Sequence, residues 1–147
     1  LYQTLKPDTK ALIEGPYGRF DYKNHNHPQI WIAGGVGIAP FVSWTNDLLE
    51  ESPSSLFDAE LYYCVNSKEE AIYIEKFKEL ENKLSGFSFK LTCADREGFL
   101  SAKEIQNYNG KEILICGPKE MRRSLLKEFQ KLQIPNNNIH FEDFDFT

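Results

Sequence analysis

Apolar and polar positions follow two rhythms along the chain. Five apolar runs, Gln29 to Ala33, Ala59 to Val65, Phe87 to Ala94, Glu112 to Cys116 and Asn138 to Phe144, have strand length. Between them, Tyr73, Phe77, Leu80 and Leu84 recur at steps of four and three, and so do Met121, Leu125, Phe129 and Leu132. That spacing predicts helices with one apolar face. Phe41 to Leu49 is a third helical stretch. Ser67 with Glu70, and Ser101 with Glu104, have capping-box spacing. Strands alternating with helices predict an α/β domain whose five-stranded parallel sheet is covered on both faces.

The first stretch breaks the rhythm. Ala11-Leu12-Ile13-Glu14 reads as a short strand, ended by Gly15-Pro16-Tyr17-Gly18, with no helix after it. Residues 1–27 are therefore expected to be the tail of a preceding all-β domain and a linker. The chain opens on Leu1 rather than Met, so a longer parent protein is expected.

With 147 residues the chain is long enough for one domain with a core. A net charge of −5 argues against nucleic acid as a partner and leaves room for a local phosphate pocket. No apolar run reaches the roughly 20 residues that cross a bilayer, so no direct membrane insertion by this segment is expected. Cys64, Cys93 and Cys116 are too few and too scattered for a disulfide framework or a zinc site.

The densest chemical signal is Ala33-Gly34-Gly35-Val36-Gly37-Ile38-Ala39-Pro40, where a strand runs into a glycine-rich turn and then a helix. Such a turn brings backbone N–H groups close to a ligand, and the helix start adds partial positive charge, so a diphosphate fits there. Pro40 suits the first helical turn, where its missing N–H costs nothing. The pattern is neither Gly-x-Gly-x-x-Gly nor a triphosphatase loop. A tight turn without a ligand is the plain alternative. If the loop is the diphosphate site, replacing Gly37 is expected to block binding with little loss of fold. A second strand-to-helix turn, Cys116-Gly117-Pro118 followed by Met121, is expected at the same sheet edge. The chain ends on alternating aromatic and acidic residues, from Ile139 through Phe144 to Phe146.

Taken in order, these motifs resemble the ferredoxin–NADP reductase superfamily over essentially the whole chain. Gly15 to Gly18 resembles the last flavin-domain motif, Gly34 to Pro40 the pyrophosphate loop, Cys116 to Pro118 with Met121 the nicotinamide-proximal turn, and His140 to Phe144 the closing strand. Within the superfamily, the resemblance is strongest to bacterial ferric-reductase-like proteins and then to NADPH oxidases.

The resemblance implies a doubly wound sheet, with residues 28–147 as the NAD(P)-binding domain. It implies NAD(P)H as cofactor, with Gly34, Gly35, Val36, Gly37, Ile38, Ala39 and Pro40 around the pyrophosphate. Asn66 and Ser67 would lie near the adenosine ribose, and Gly117, Pro118 and Met121 near the nicotinamide. Cys116 would steer the reactive ring toward the flavin, and Phe144 or Phe146 would face that flavin. The FAD would be held mainly by a flavin-binding domain of the same protein, because the Arg-x-Tyr-Ser/Thr flavin motif is not in this segment. Electrons would pass to a haem-bearing membrane domain or to an iron or other redox acceptor. The segment would sit on the cytoplasmic side of a protein that the resemblance allows to be membrane-integral. No general base is implied, since hydride transfer needs alignment more than proton transfer. A nucleotide-sensing module without catalysis is the competing reading of the same fold.

Asp95-Arg96 stands where NADPH-using relatives carry a Ser-Arg pair. Arg96 would favour a 2′-phosphate and Asp95 a ribose hydroxyl, which leaves the choice of dinucleotide open with a lean to NADH. Ser67 reads more simply as a helix cap. His25 and His27 form an i, i+2 pair that could bind a metal weakly, but no third ligand is evident, so they read as surface histidines in a loop and no metal site is expected. Trp31 and Trp44 read as core, and Glu142, Asp143 and Asp145 as a solvated face.

Overall fold

A computed structural model describes residues 6–10, 12, 18–25, 28–51 and 57–142. Five strands, β1 (Gln29–Gly34), β2 (Ala59–Val65), β3 (Phe87–Cys93), β4 (Glu112–Cys116) and β5 (Ile139–Glu142), form one sheet in the order β3-β2-β1-β4-β5. Every pairing is parallel. The helices are α1 (Ala39–Glu50), α2 (Ile74–Lys83), the single turn α3 (Ala94–Glu97) and α4 (Lys119–Lys131).

Successive β1 side chains serve opposite faces, as the strand pleat demands. Trp31 and Ala33 join Phe41, Trp44, Phe77 and Leu80 beneath α1 and α2. Ile30 and Ile32 join Ile113, Ile115, Leu125 and Phe129 beneath α4. Two covered faces explain why the strands read as unbroken apolar runs. Phe20 packs on the first cluster and Tyr22 is buried in it, 5.9 Å from Trp31 between ring centres, so the stretch assigned to a linker lies on this core.

Some predicted boundaries shift. Tyr73 is not in α2 but precedes it with a left-handed backbone, and Leu84 leaves the helix in extended geometry. β3 ends at Cys93, and Ala94 starts α3. Asn138 belongs to a 3-10 turn, so β5 begins one residue later than expected. Ser101 and Glu104 form the expected capping box. Ser67 and Glu70 do not, because the Glu70 carboxylate instead accepts from the backbone N–H and side-chain amide of Asn66. The predicted strand Ala11–Glu14 falls almost wholly outside the described residues.

Candidate functional site

The chain reverses its winding direction between β1 and β4. In an open α/β sheet, ligands bind at the carboxyl edge beside such a switch point. Here the two glycine-bearing turns meet. β1 runs into a 3-10 turn, Gly35–Ile38, which continues directly into α1. Among the described residues no side chain caps this start, and no acidic residue lies in either first turn, so its N–H groups and partial positive charge suit an anionic ligand.

The glycines have separate causes. Gly35 has φ +52 with open space around a would-be β-carbon, so its requirement is conformational. Gly34 has no room: a β-carbon would lie 2.7 Å from Met121 Sδ and 2.8 Å from Pro118 Cδ. At Gly37 a β-carbon would meet the Cys116 carbonyl oxygen at 2.2 Å. Gly117 faces Gly34, with 3.0 Å left to its Cα. The expectation that Gly37 can be replaced without harm to the fold is therefore wrong. Its absent side chain is what lets the β1 loop close on the end of β4.

A cleft of about 350 Å³ follows this edge from the α4 start, past Gly34 and Gly35, to the ends of β2 and β3. Of the residues expected at the site, Gly34, Gly35, Asn66, Pro118 and Met121 line it. Val36 is exposed beside it, while Gly37 and Ile38 are buried beneath the loop. Ala39 and Pro40 open α1. Ser67 lies one residue beyond Asn66. Asp95 and Arg96 sit exposed on α3, and the Asp95 N–H donates to the Asn66 carbonyl at 3.0 Å. Phe144 and Phe146 lie outside the described residues, as does the Gly15-Pro16-Tyr17 part of the first motif.

Cys116 is fully buried, and burial with Glu142 nearby pushes its thiol up to about 12. Burial and the raised thiol value favour its neutral form at ordinary pH. Glu142 also reaches the stretch before β1: a β-carbon on Gly18 would lie 3.1 Å from its Oε1.

Several lining residues escape a reading of the sequence. Thr92, next to last in β3, lines the cleft and has a buried hydroxyl with no hydrogen-bond partner among the described residues. Glu70, Phe99 and Glu120 also line the cleft. Phe99 is 86% exposed and follows Gly98. The next residues are pinned to α4, because Ser101 Oγ and the Ala102 N–H both donate to Glu128 at 2.7 Å. An uncapped helix start and a glycine cradle closed to side chains together fit a dinucleotide.

A family model, the oxidoreductase NAD-binding domain, matches residues 31–127, from within β1 to within α4. The chain belongs to this family. A component of the Na(+)-translocating NADH-quinone reductase of Actinobacillus succinogenes is 29% identical over 157 residues, covering 96% of this chain and 38% of the relative. The chain thus spans well under half of that relative. The flavohem-like FAD/NAD binding domain of nitric oxide dioxygenase from Vibrio cholerae O1 biovar El Tor superposes with a TM-score of 0.73 at 24% identity, over 88% of this chain and 56% of that one. The ferredoxin-NADP+ reductase of Plasmodium falciparum does so with 0.66 at 17% identity, over 87% and 57%. An NAD-binding oxidoreductase domain, expected from the motifs, is the family found, and the expected α/β fold with a five-stranded parallel sheet is the fold these neighbours share. Nothing in these relatives singles out the ferric-reductase branch. No helix among the described residues is long and apolar enough to cross a membrane.

Proposed function

We propose that this domain binds NADH along the carboxyl edge of its sheet and presents the nicotinamide to FAD held by a flavin-binding domain of the same protein. The observation that carries this reading is the uncapped 3-10 turn Gly35–Ile38, seated through Gly37 against Cys116 at the switch point. Backbone N–H groups of Gly35 to Gly37 hold the diphosphate. Asn66, with Ser67 beside it, meets the adenosine ribose. The exposed Phe99 ring offers the adenine an apolar face. Pro118 and Met121 bound the nicotinamide, and Cys116 fills the space behind it without bulk or charge. Phe144 or Phe146 faces the flavin. When bound, the nicotinamide supplies a hydride to the flavin; the protein supplies alignment and excludes water.

NADH is favoured over NADPH because the Glu70 carboxylate lines the cleft beside Asn66. A carboxylate accepts from ribose hydroxyls and repels a 2′-phosphate. Beyond the flavin, electrons pass to a haem, an iron centre or ferric iron carried elsewhere, and the domain works on the cytoplasmic side of its parent protein.

Titration of the chain with NADH and NADPH, followed by amide shifts from Gly34 to Ala39, tests the first part. NADH binds more tightly, and Glu70→Gln narrows the gap about two- to fivefold, as expected for a solvent-exposed charge. Shifts absent from the loop would remove it as the diphosphate site. Bleaching of the flavin absorbance of the full-length protein by NADH tests the second part. Binding without bleaching would favour a nucleotide-sensing module.

A further inference from the structure

A second cluster of ligating side chains lies at the opposite edge of the sheet. Glu112 opens β4, His140 is the second residue of β5, and His25 follows the turn Tyr22–Asn24. Glu112 and Cys116 are four steps apart on β4, roughly 13 Å along a strand. His140 Nε2 lies 2.7 Å from Glu112 Oε2, within hydrogen-bond reach. His25 Nδ1 stands 3.8 Å from the same oxygen, beyond it. The two imidazole rings are 4.1 Å apart between centres.

We propose that His25, Glu112 and His140 form a three-ligand site for a divalent transition metal of the zinc class, with water as fourth ligand. Two neutral imidazoles and a carboxylate are a donor set that zinc accepts. The three ligand atoms already lie within 4.8 Å of one another. Tetrahedral bonds of 2.0–2.1 Å put ligand atoms about 3.4 Å apart, so the widest pair closes by little more than an ångström while the Glu112–His140 pair, now at 2.7 Å, opens by less than one.

The backbones carrying these groups are held. The His25 N–H donates to the Tyr22 carbonyl at 3.2 Å, and the His25 carbonyl accepts from Gln29 Nε2 at 2.9 Å. The Glu112 N–H donates to the Pro28 carbonyl at 2.9 Å. The side chains are 15% to 31% exposed, shielded enough for strong ligation and open enough for a water. A metal here ties the stretch entering β1 to β4 and β5, far from the dinucleotide. The third ligand that the local sequence lacks around His25 comes from strands distant in the chain. His27 lies outside the described residues.

The test uses the metal-stripped chain, titrated with zinc by calorimetry and with cobalt(II) by absorption. One equivalent binds with micromolar or tighter affinity, and cobalt gives the bands of a tetrahedral nitrogen–oxygen site without sulfur charge transfer. His25→Gln and Glu112→Gln each weaken binding by more than about tenfold, the loss typical of even an outer-shell partner. Glu112→Gln keeps an oxygen for His140, and matched melting curves without metal show that both variants fold. Binding weaker than micromolar, a sulfur charge-transfer band from the cysteines, or affinity unchanged in either variant would overturn the proposal.

Discussion

Gly37 packs so closely on Cys116 that a β-carbon at position 37 would lie 2.2 Å from the Cys116 carbonyl oxygen. Both partners are backbone-bound, so neither yields as a flexible side chain does. Gly37→Ala is expected to cost about 1–3 kcal/mol of stability, the range for overpacking. Gly35→Ala meets no neighbour within 4 Å among the described residues and carries the strain of φ +52, about 1–2 kcal/mol. Urea unfolding of the two variants, with an NADH titration of each, separates the cases. Gly37→Ala loses stability and affinity together, because the β1 loop no longer closes on β4. Equal stability in Gly37→Ala and the native chain would refute this packing.

Thr92 gives a prediction of opposite sign. Its hydroxyl is buried in the cleft wall without a partner among the described residues, and an unmet buried hydroxyl costs stability. Thr92→Val keeps the shape and removes the polar atom. Thermal unfolding is expected to show a variant at least as stable as the native chain, by up to about 1 kcal/mol. NADH affinity falls roughly two- to tenfold, the worth of one hydrogen bond. Unchanged affinity would mean that the hydroxyl does not meet the ligand.

The thiols make the domain sensitive to alkaline pH. Burial pushes Cys116 and Cys64 from an ordinary value of 9.0 up to about 12. The folded state therefore keeps both protons where the unfolded chain has released them. Their contribution to stability is full below pH 9 and is lost as the pH rises from 9 toward about 12. At neutral pH the thiolate fraction is about a thousandfold below that of a free cysteine, so alkylation by iodoacetamide is slow until the chain unfolds. Mass-resolved alkylation across pH measures this directly. Fast labelling of Cys116 in the folded domain would show an activated thiol.

The sheet was legible because burial on both faces leaves strands such as Ile30 to Ala33 without polar interruption. The glycine loop was legible because its glycines cluster in sequence, although only Gly35 has a local requirement and Gly34 and Gly37 answer to Met121, Pro118 and Cys116. Helix ends were less so: Tyr73 fits the apolar spacing of α2 yet takes a left-handed backbone before it. Ser67 and Glu70 have capping spacing, but Glu70 finds a better partner in Asn66. Thr92, Phe99 and the His25–Glu112–His140 cluster carry no local signature. Their meaning arises only when the strand order brings distant segments to one edge, and spacing along the chain does not encode that order.

Gln29 is the polar residue on which the stretch before β1 depends. It is 3% exposed, its Oε1 accepts from the Trp31 indole at 2.8 Å, and its Nε2 donates to the carbonyls of Tyr22 and His25, each at 2.9 Å. Gln29→Leu retains bulk but strands an indole N–H in the core and takes the Gln29 donor from the His25 carbonyl, while the Tyr22 carbonyl keeps the His25 N–H. Each buried group left unmet costs about 1–3 kcal/mol, so the loss is expected to exceed that of a typical surface change severalfold. Hydrogen exchange distinguishes the local consequence from the global one. Amides of residues 22–25, held at their carbonyl side by Gln29, exchange faster in the variant even after correction for its lower global stability. If protection there falls only in proportion to the whole domain, Gln29 is a core residue and no more than that.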